Sequence, residues 1–378
     1  MKQTAMTNKN HKPLKILIAG GGTGGHVFPA IAIASAIQHK VHDARILFVG
    51  AKGRMEMKKV PEAGFHIIAL DIAGLQRRLT TKNLLLPFKL LKSLIASRSI
   101  VKRFAPDIVI GVGGYASGPL LWAAAKQKVP VLIQEQNSFP GMTNRILAKR
   151  ATKICVAYEG MEKYFQKNKL FLTGNPVRKD MVDIANKRDD ALKHFNLNPD
   201  KPVLLVTGGS LGARTINLAV AKNIKKWVEN DIQLIWQTGP GFYEKAIQLK
   251  KDLDVQNELL ISAFIARMDY AFAAADVVVS RAGAIAVSEL CIIGKPLILI
   301  PSPNVAEDHQ TKNASVLANQ HAAILIKDHE AIDKLGNVVT GLIYNKNKMQ
   351  AMTEKMGGLA HLNAAEQIAD VALSMIGK

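Results

Sequence analysis

The chain has 378 residues, 48% hydrophobic and 21% charged, with a formal net charge of +20. That balance excludes a mainly disordered chain, and at roughly 100–200 residues per domain the length suggests two domains. The cationic excess needs an anionic counterpart: nucleic acid, an acidic membrane surface or a phosphorylated ligand.

The chain opens MKQTAMTNKNHKPLK and then ILIAGGG. A secretion signal would need a longer apolar core and a small-residue cleavage site, and no stretch approaches the roughly 20 apolar residues of a spanning helix. The expectation is a cytoplasmic protein whose membrane contact is peripheral. Lys15–Gly25, KILIAGGGTGG, is an apolar run entering a glycine loop, followed by a helical pattern; Lys201–Gly212, KPVLLVTGGSLG, repeats the design. Further correspondences follow in order: ARILFVG with IQLIWQTG, PDIVIGVGG with ADVVVSRAG, and KVPVLIQEQN with KPLILIPSPN. Short Val- and Ile-rich runs separated by helical segments are the pattern of buried parallel strands. Each half therefore reads as a doubly wound α/β domain, the two facing each other across a cleft. Ligands are expected outside the carboxyl ends of the strands, where the glycine loops lie. The expected divisions are 1–176, 177–358 and a helix in 359–378 packing back on the first domain.

Gly20–Gly25, GGGTGG, satisfies G-x-G-x-x-G, but the strand that should end in a ribose-binding acid ends Val49-Gly50-Ala51 without one, which weakens a nicotinamide reading. What remains is a phosphate-approach loop at a helix start, with His26 at its mouth. Gly111–Gly118, GVGGYASG, is a second nest of backbone donors in the same half. Together Gly21, Gly22, Gly113, Gly114 and Tyr115 suggest a diphosphate site. In the second half Ser210 stands in a glycine loop, SRAGAIAVSE places Glu289 just inside a helix where it could hold ribose hydroxyls, and NVAEDHQTKN is a polar loop suited to sugar.

Ile72–Arg103 carries eight Lys or Arg (Arg77, Arg78, Lys82, Lys89, Lys92, Arg98, Lys102, Arg103), no acid, and interleaved Leu84, Leu85, Leu86, Phe88, Leu90, Leu91, Leu94 and Ile95. That mixture suits an anionic leaflet. Nucleic acid is disfavoured, with no binding motif and only 6% aromatic residues. Asp252-Leu253-Asp254 reads as surface charge rather than a metal site, and no carboxylate or histidine cluster suggests a metal. Cys155 and Cys291, both in apolar runs, read as buried free thiols.

GGGTGGHVFPA, GVGGYASGP, QEQN followed by GMTNR, GNPVR, GGSLGAR and SRAGAIAVSEL with GKP lie in order between Lys15 and Ala314 and together resemble the MurG family. The resemblance implies a GT-B fold and inverting transfer of N-acetylglucosamine from UDP to lipid I, giving lipid II without metal or cofactor, at the cytoplasmic face of the inner membrane. It implies a donor pocket with the Ile265 backbone, Phe264 and Met268 at the uracil, Ser210 and Arg178 at the nucleotide, and Ala284, Ile285, Ala286, Val287, Ser288 and Glu289 at diphosphate and ribose. Gln310, Thr23, Gly24, Gly25 and Asn137 would read the sugar. His26 is the candidate base, with Tyr115, Glu135 and Asn137 as alternatives or orienting groups. Two positions depart from the family pattern: His309 stands where a Gln is frequent, and Ala286 lacks a hydroxyl. The rival readings are a transferase acting on diacylglycerol, a nicotinamide-dependent oxidoreductase and a non-catalytic polyanion binder.

Overall fold

The computed structural model describes residues 12–72, 86–114, 116–177, 183–253 and 258–377. They form two compact units. The first takes the chain up to Glu135, Pro140–Pro176 and everything from Asn363 onward; the second takes Gln136–Phe139 and Val177–Leu362. The short piece 136–139 thus groups with the second unit, although the sequence reading places it inside 1–176.

In the first unit the strands β1 (Lys15–Gly20), β2 (Arg45–Ala51), β3 (His66–Leu70), β4 (Ile108–Gly113), β5 (Val131–Glu135), β6 (Lys153–Val156) and β7 (Leu170–Leu172) lie in the order β3-β2-β1-β4-β5-β6-β7. All pairings are parallel. In the second, β8 (Val203–Thr207), β9 (Gln233–Gln237), β10 (Leu259–Ser262), β11 (Val277–Ser280), β12 (Leu297–Leu299) and β13 (Ile324–Leu325) lie in the order β10-β9-β8-β11-β12-β13, also parallel. The strands read as internal counterparts in the sequence (β1 and β8, β2 and β9, β4 and β11, β5 and β12) occupy equivalent places in the two sheets.

The central strands of each sheet are buried on both faces. Ile16 and Ile18 join one apolar cluster while Leu17 and Ala19 join another, as the two-residue period of a strand requires. The second unit repeats this, with Leu205 in one cluster and Leu204 and Val206 in the other. The helix Ala364–Ser374 buries Ile368, Ala369, Ala372 and Leu373 in the cluster that holds Ile33 and Ile37 of the helix Gly24–Lys40, and Lys40 pairs with Asp370 at 2.7 Å. Apolar burial of this kind contributes roughly 1.5–3 kcal/mol per large side chain, so the last described helix is an integral part of the first core. Cys155 and Cys291 are both buried and free, and burial pushes each thiol up to about 12.

Candidate active site

The order of each parallel sheet reverses at one place, between β1 and β4 in the first unit and between β8 and β11 in the second. Loops that leave neighbouring strands in opposite directions open a crevice there, where such sheets hold ligands.

At the first crevice the two glycine loops interlock. Gly21 N–H donates to the Gly113 carbonyl at 3.3 Å. Gly114, at φ +91°, approaches Gly21 so closely that a Cβ would stand 2.3 Å from the Gly21 carbonyl oxygen. A Cβ on Gly113 would meet the His26 ring, 2.7 Å from Nε2. Ser117, fully buried at the start of the helix Ser117–Lys126, donates to both the Ala19 and Gly113 carbonyls, at 3.0 and 2.7 Å, and ties β1 to β4 behind the loops. His26 is half-buried in the first turn of Gly24–Lys40. Its Nδ1 lies 3.2 Å from the Gly21 carbonyl and 3.3 Å from Thr23 Oγ1. A carbonyl only accepts, so the neutral ring carries its proton on Nδ1 and its lone pair on Nε2. Thr23 is the exposed N-cap, its side chain makes no capping bond, and no acid occupies the first turn. The amides of Gly24 and Gly25 have no intrahelical acceptor at that end.

Two sequence expectations change here. Gly21 and Gly22 are not open phosphate donors: the Gly21 N–H goes to Gly113, and the Gly22 N–H donates to Glu56 Oε2 at 2.9 Å. The end of β2 also does have a carboxylate beside it. Glu56 reaches back from the helix Glu56–Glu62, is fully buried, and accepts the Ala51 N–H on Oε1 at 3.0 Å. Both oxygens are held by backbone, so this acid is not presented to a ribose. Glu135, at the end of β5, is 1% exposed, and its Oε2 accepts from Gly141 N–H (3.1 Å) and Asn144 Nδ2 (2.8 Å). That geometry makes it the fastening of the turn leading into the helix Met142–Leu147. Tyr115 lies outside the described residues.

In the second unit Ser210 and Leu211 are exposed at the tip of the glycine loop. Gly209 N–H donates to Thr207 Oγ1 (3.2 Å) and Gly212 N–H to the Gly209 carbonyl (2.9 Å), so the loop is self-braced. After β11 the helix Ala284–Ile293 starts from Gly283, again without a capping side chain or an acid in its first turn. Ala284, Ile285 and Ala286 are half-buried there, and so is Glu289 in the second turn. Val287 is core and its N–H returns to the Gly283 carbonyl, while Ser288 Oγ donates to the Ala284 carbonyl at 3.1 Å. Gln310 is pinned: Oε1 accepts from Ala282 N–H (3.2 Å) and Ser302 N–H (2.8 Å), and its Nε2 is a donor only. Ile265 is buried and its N–H donates to Gln237 Oε1 at 2.9 Å; Phe264 beside it is 62% exposed, and Met268 packs against the core. Asn137 Oδ1 accepts from Asn313 Nδ2 at 3.2 Å, and the Ser138 N–H and hydroxyl donate to Asn313 Oδ1. His309 Nε2 lies 3.6 Å from Glu307. Arg178 lies outside the described residues.

Two further residues organise this half. Gln237, fully buried at the end of β9, also donates through Nε2 to Thr207 Oγ1 and the Gly209 carbonyl, both at 3.1 Å, joining the glycine loop to Ile265. Arg281 donates from one nitrogen to the Ile300 and Pro301 carbonyls (3.0 Å each) and to Asp328 (2.5 Å), whose other oxygen accepts the Thr215 hydroxyl at 2.9 Å. A polar residue closing an apolar strand, LIWQ and VVVSR, is the signal that marks both in the sequence. Glu56, in GRMEM, carries no such signal.

Residues 16–156 match the glycosyltransferase family 28 N-terminal domain, and residues 203–370 match the family's C-terminal domain. The UDP-N-acetylglucosamine--N-acetylmuramyl-(pentapeptide) pyrophosphoryl-undecaprenol N-acetylglucosamine transferase of Parabacteroides distasonis is 49% identical, the match covering 96% of this chain and 99% of that one. The protein of the same name from Flavobacterium psychrophilum is 48% identical, over 96% and 98%. The crystal structure of Acinetobacter baumannii MurG matches with a TM-score of 0.77 and 30% identity, over 96% of this chain and 100% of that one. The chain belongs to the MurG branch of glycosyltransferase family 28. Its fold is GT-B, with two Rossmann-like parallel-sheet domains. Membership of this family sets aside the oxidoreductase reading of G-x-G-x-x-G.

Among the described residues no helix is long and apolar enough to cross a membrane, and no group of His, Cys, Asp and Glu could hold a metal ion. The helix Leu86–Phe104 buries Ser93, Ser97, Ile100 and Val101 and exposes Leu90, Leu91 and Ile95 beside Lys92, Arg98, Lys102 and Arg103. Arg77, Arg78, Lys82, Leu84 and Leu85 lie outside the described residues, and for Leu86 and Phe88 only the backbone is described.

Proposed function

We propose that this chain transfers N-acetylglucosamine from UDP-N-acetylglucosamine to the 4-hydroxyl of the N-acetylmuramoyl residue of lipid I, with inversion at C1, giving lipid II in peptidoglycan synthesis. The near full-length likeness to transferases of that name carries the reading. The acceptor hydroxyl attacks C1, the C1–O bond to the diphosphate breaks, UDP leaves with the electron pair, and the hydroxyl proton passes to a base.

His26 is that base, for its Nδ1–H tautomer puts the lone pair on Nε2. Such a group contributes about 10²–10⁴-fold in rate. Burial and two donors suit Glu135 to holding the turn at Gly141 rather than to taking the proton. Tyr115 and Asn137 orient. The lipid diphosphate falls to the Gly113–Tyr115 loop and the helix start at Gly24–Gly25, since the Gly21 and Gly22 amides are committed. The donor sits on the second unit: its diphosphate at Ser210, Arg178 and the Ala284–Ala286 helix start, its ribose on Glu289, its uracil against the Ile265 carbonyl and Phe264. On the same unit, Gln310 through its Nε2 and Asn137 read the sugar. Helix starts without an internal anion stabilise the leaving diphosphate without metal.

Leu90, Leu91 and Ile95 dip into the anionic cytoplasmic leaflet while the flanking cations stay at its headgroups, worth about 1 kcal/mol each. The protein is peripheral there. The test is transfer of radiolabelled N-acetylglucosamine from UDP to a lipid I analogue, with diacylglycerol as control acceptor. Label on lipid I alone is expected; label on diacylglycerol overturns the acceptor.

A further inference from the structure

One peptide group stands between a buried acid and the ring that takes the proton. The Gly21–Gly22 peptide donates its N–H to Glu56 Oε2 at 2.9 Å and offers its carbonyl to His26 Nδ1 at 3.2 Å. In a trans peptide these two groups point in opposite directions, so a partner on one side sets the aim of the other. Glu56 is fully buried and anchored independently, since its other oxygen accepts the Ala51 N–H at 3.0 Å. Two glycines make its slot. A Cβ on Gly21 would stand 2.2 Å from Oε1, and one on Gly50 would stand 2.6 Å from Cγ. A carboxyl group with an N–H on each oxygen and no water contact has a single orientation, and chained hydrogen bonds strengthen one another.

We infer that Glu56 is a positioning residue: through the Gly21–Gly22 peptide it holds the carbonyl that keeps His26 in its Nδ1–H form, with Nε2 ready to accept the proton of the acceptor hydroxyl. The inference rests on His26 being the base. Without Glu56 the peptide is released to rotate, the Gly21 carbonyl leaves Nδ1, and the neutral ring divides between its two tautomers. Molecules in the Nε2–H form carry the proton on the wrong nitrogen, and the ring itself is no longer aimed.

Glu56→Gln is close in shape but supplies one acceptor and one NH2 where two acceptors are needed, so either Gly22 or Ala51 loses its partner. The full chain carrying Glu56→Gln is compared with wild type in three measurements. Turnover should fall about tenfold or more, the scale of an angstrom-level misplacement, while the KM for UDP-N-acetylglucosamine changes by less than about twofold. In protein labelled with 15N-histidine, the His26 signals, assigned by their loss in His26→Gln, should show the protonated Nδ1 pattern in wild type and averaged nitrogens in the variant. The Gly22 amide proton should lose the downfield shift of an N–H bound to a carboxylate. Glu56→Asp, whose shorter arm cannot span Gly22 and Ala51 together, carries the same three readouts should Glu56→Gln not fold. Turnover within about twofold of wild type overturns the inference. So does a large loss of turnover with the His26 nitrogen pattern unchanged, which would reduce Glu56 to a structural role. A wild-type protein that transfers no sugar would overturn the proposed reaction instead, and the nitrogen pattern would still report on Glu56 and His26.

Discussion

Replacing one glycine by alanine at each of two neighbouring loop positions separates backbone strain from steric contact. Gly22 and Gly114 both have positive φ, +85° and +91°. An alanine at either position pays roughly 1–2 kcal/mol for that conformation. Around Gly22 nothing lies within 4 Å of a new Cβ, whereas at Gly114 the Cβ would stand 2.3 Å from the Gly21 carbonyl oxygen and 2.9 Å from its carbon. The Gly21 peptide would have to retreat by at least about 0.7 Å to restore a tolerable contact, and that peptide bears the carbonyl against His26. A shift approaching 1 Å at a reacting group costs about 100-fold in rate. Gly22→Ala should therefore lower the thermal midpoint by a few degrees and keep turnover within about tenfold of wild type. Gly114→Ala should cost about 100-fold more in turnover than its loss of stability explains. Scanning calorimetry and the lipid I transfer assay on both variants give the comparison. Equal turnover in the two variants would refute the reasoning, because only the Gly114 variant presses on the Gly21 peptide.

Glu289→Ala should weaken UDP binding at least about tenfold by calorimetry with the thermal midpoint unchanged; unaltered affinity would remove Glu289 from the ribose site. Arg281→Met leaves Asp328 without its cation among groups only 15% and 18% exposed, and should cost about 2–4 kcal/mol in urea unfolding followed by tryptophan emission, part of it recovered by adding Asp328→Asn. Leu91→Asn with Ile95→Asn should lower binding to phosphatidylglycerol vesicles about tenfold or more at physiological salt while transfer to a soluble acceptor analogue stays the same. With thiols pushed up to about 12, Cys155 and Cys291 hold about one part in 10⁴ as thiolate at pH 8 and should resist iodoacetamide in the native protein. Reactivity should rise as pH approaches 12 or on unfolding, and rapid labelling at pH 8 would contradict their burial.

The internal repetition was legible because its strands are continuous apolar runs closed by glycines. Runs such as KILIAGGG and KPVLLVTGG show period and boundary together. The edge strand β3 did not announce itself, because HIIAL is largely exposed and its residues answer to one neighbour rather than to a core. At the site, sequence spacing marked His26, Ser210 and Glu289 by their place beside glycine loops. It did not show which loop amides are already committed. Whether a Gly amide is open to phosphate depends on what stands behind it, and for Gly22 that is Glu56, 34 residues away. Glu135 reads in sequence as an alternative base or orienting group, and only its burial and the two donors on Oε2 show it fastening the turn at Gly141. Pattern therefore nominated candidate positions, while the direction of each hydrogen bond had to come from the fold.

The return of Ala364–Ser374 to the first core gives synthesis and folding different schedules. By the time Leu362 has been added, every strand of both sheets exists, and the second unit has all of its residues. The first unit does not, since Ile33 and Ile37 still lack Ile368, Ala372 and Leu373 against them. At about 5–20 residues per second the ribosome spends roughly 10–40 s on the intervening second unit. For that interval the flank of Gly24–Lys40, the helix that begins beside His26, is an uncovered apolar stripe. The domain begun first is thus completed last, and a frameshift or proteolytic clip near Leu362 would reach the helix Gly24–Lys40 from more than 300 residues away.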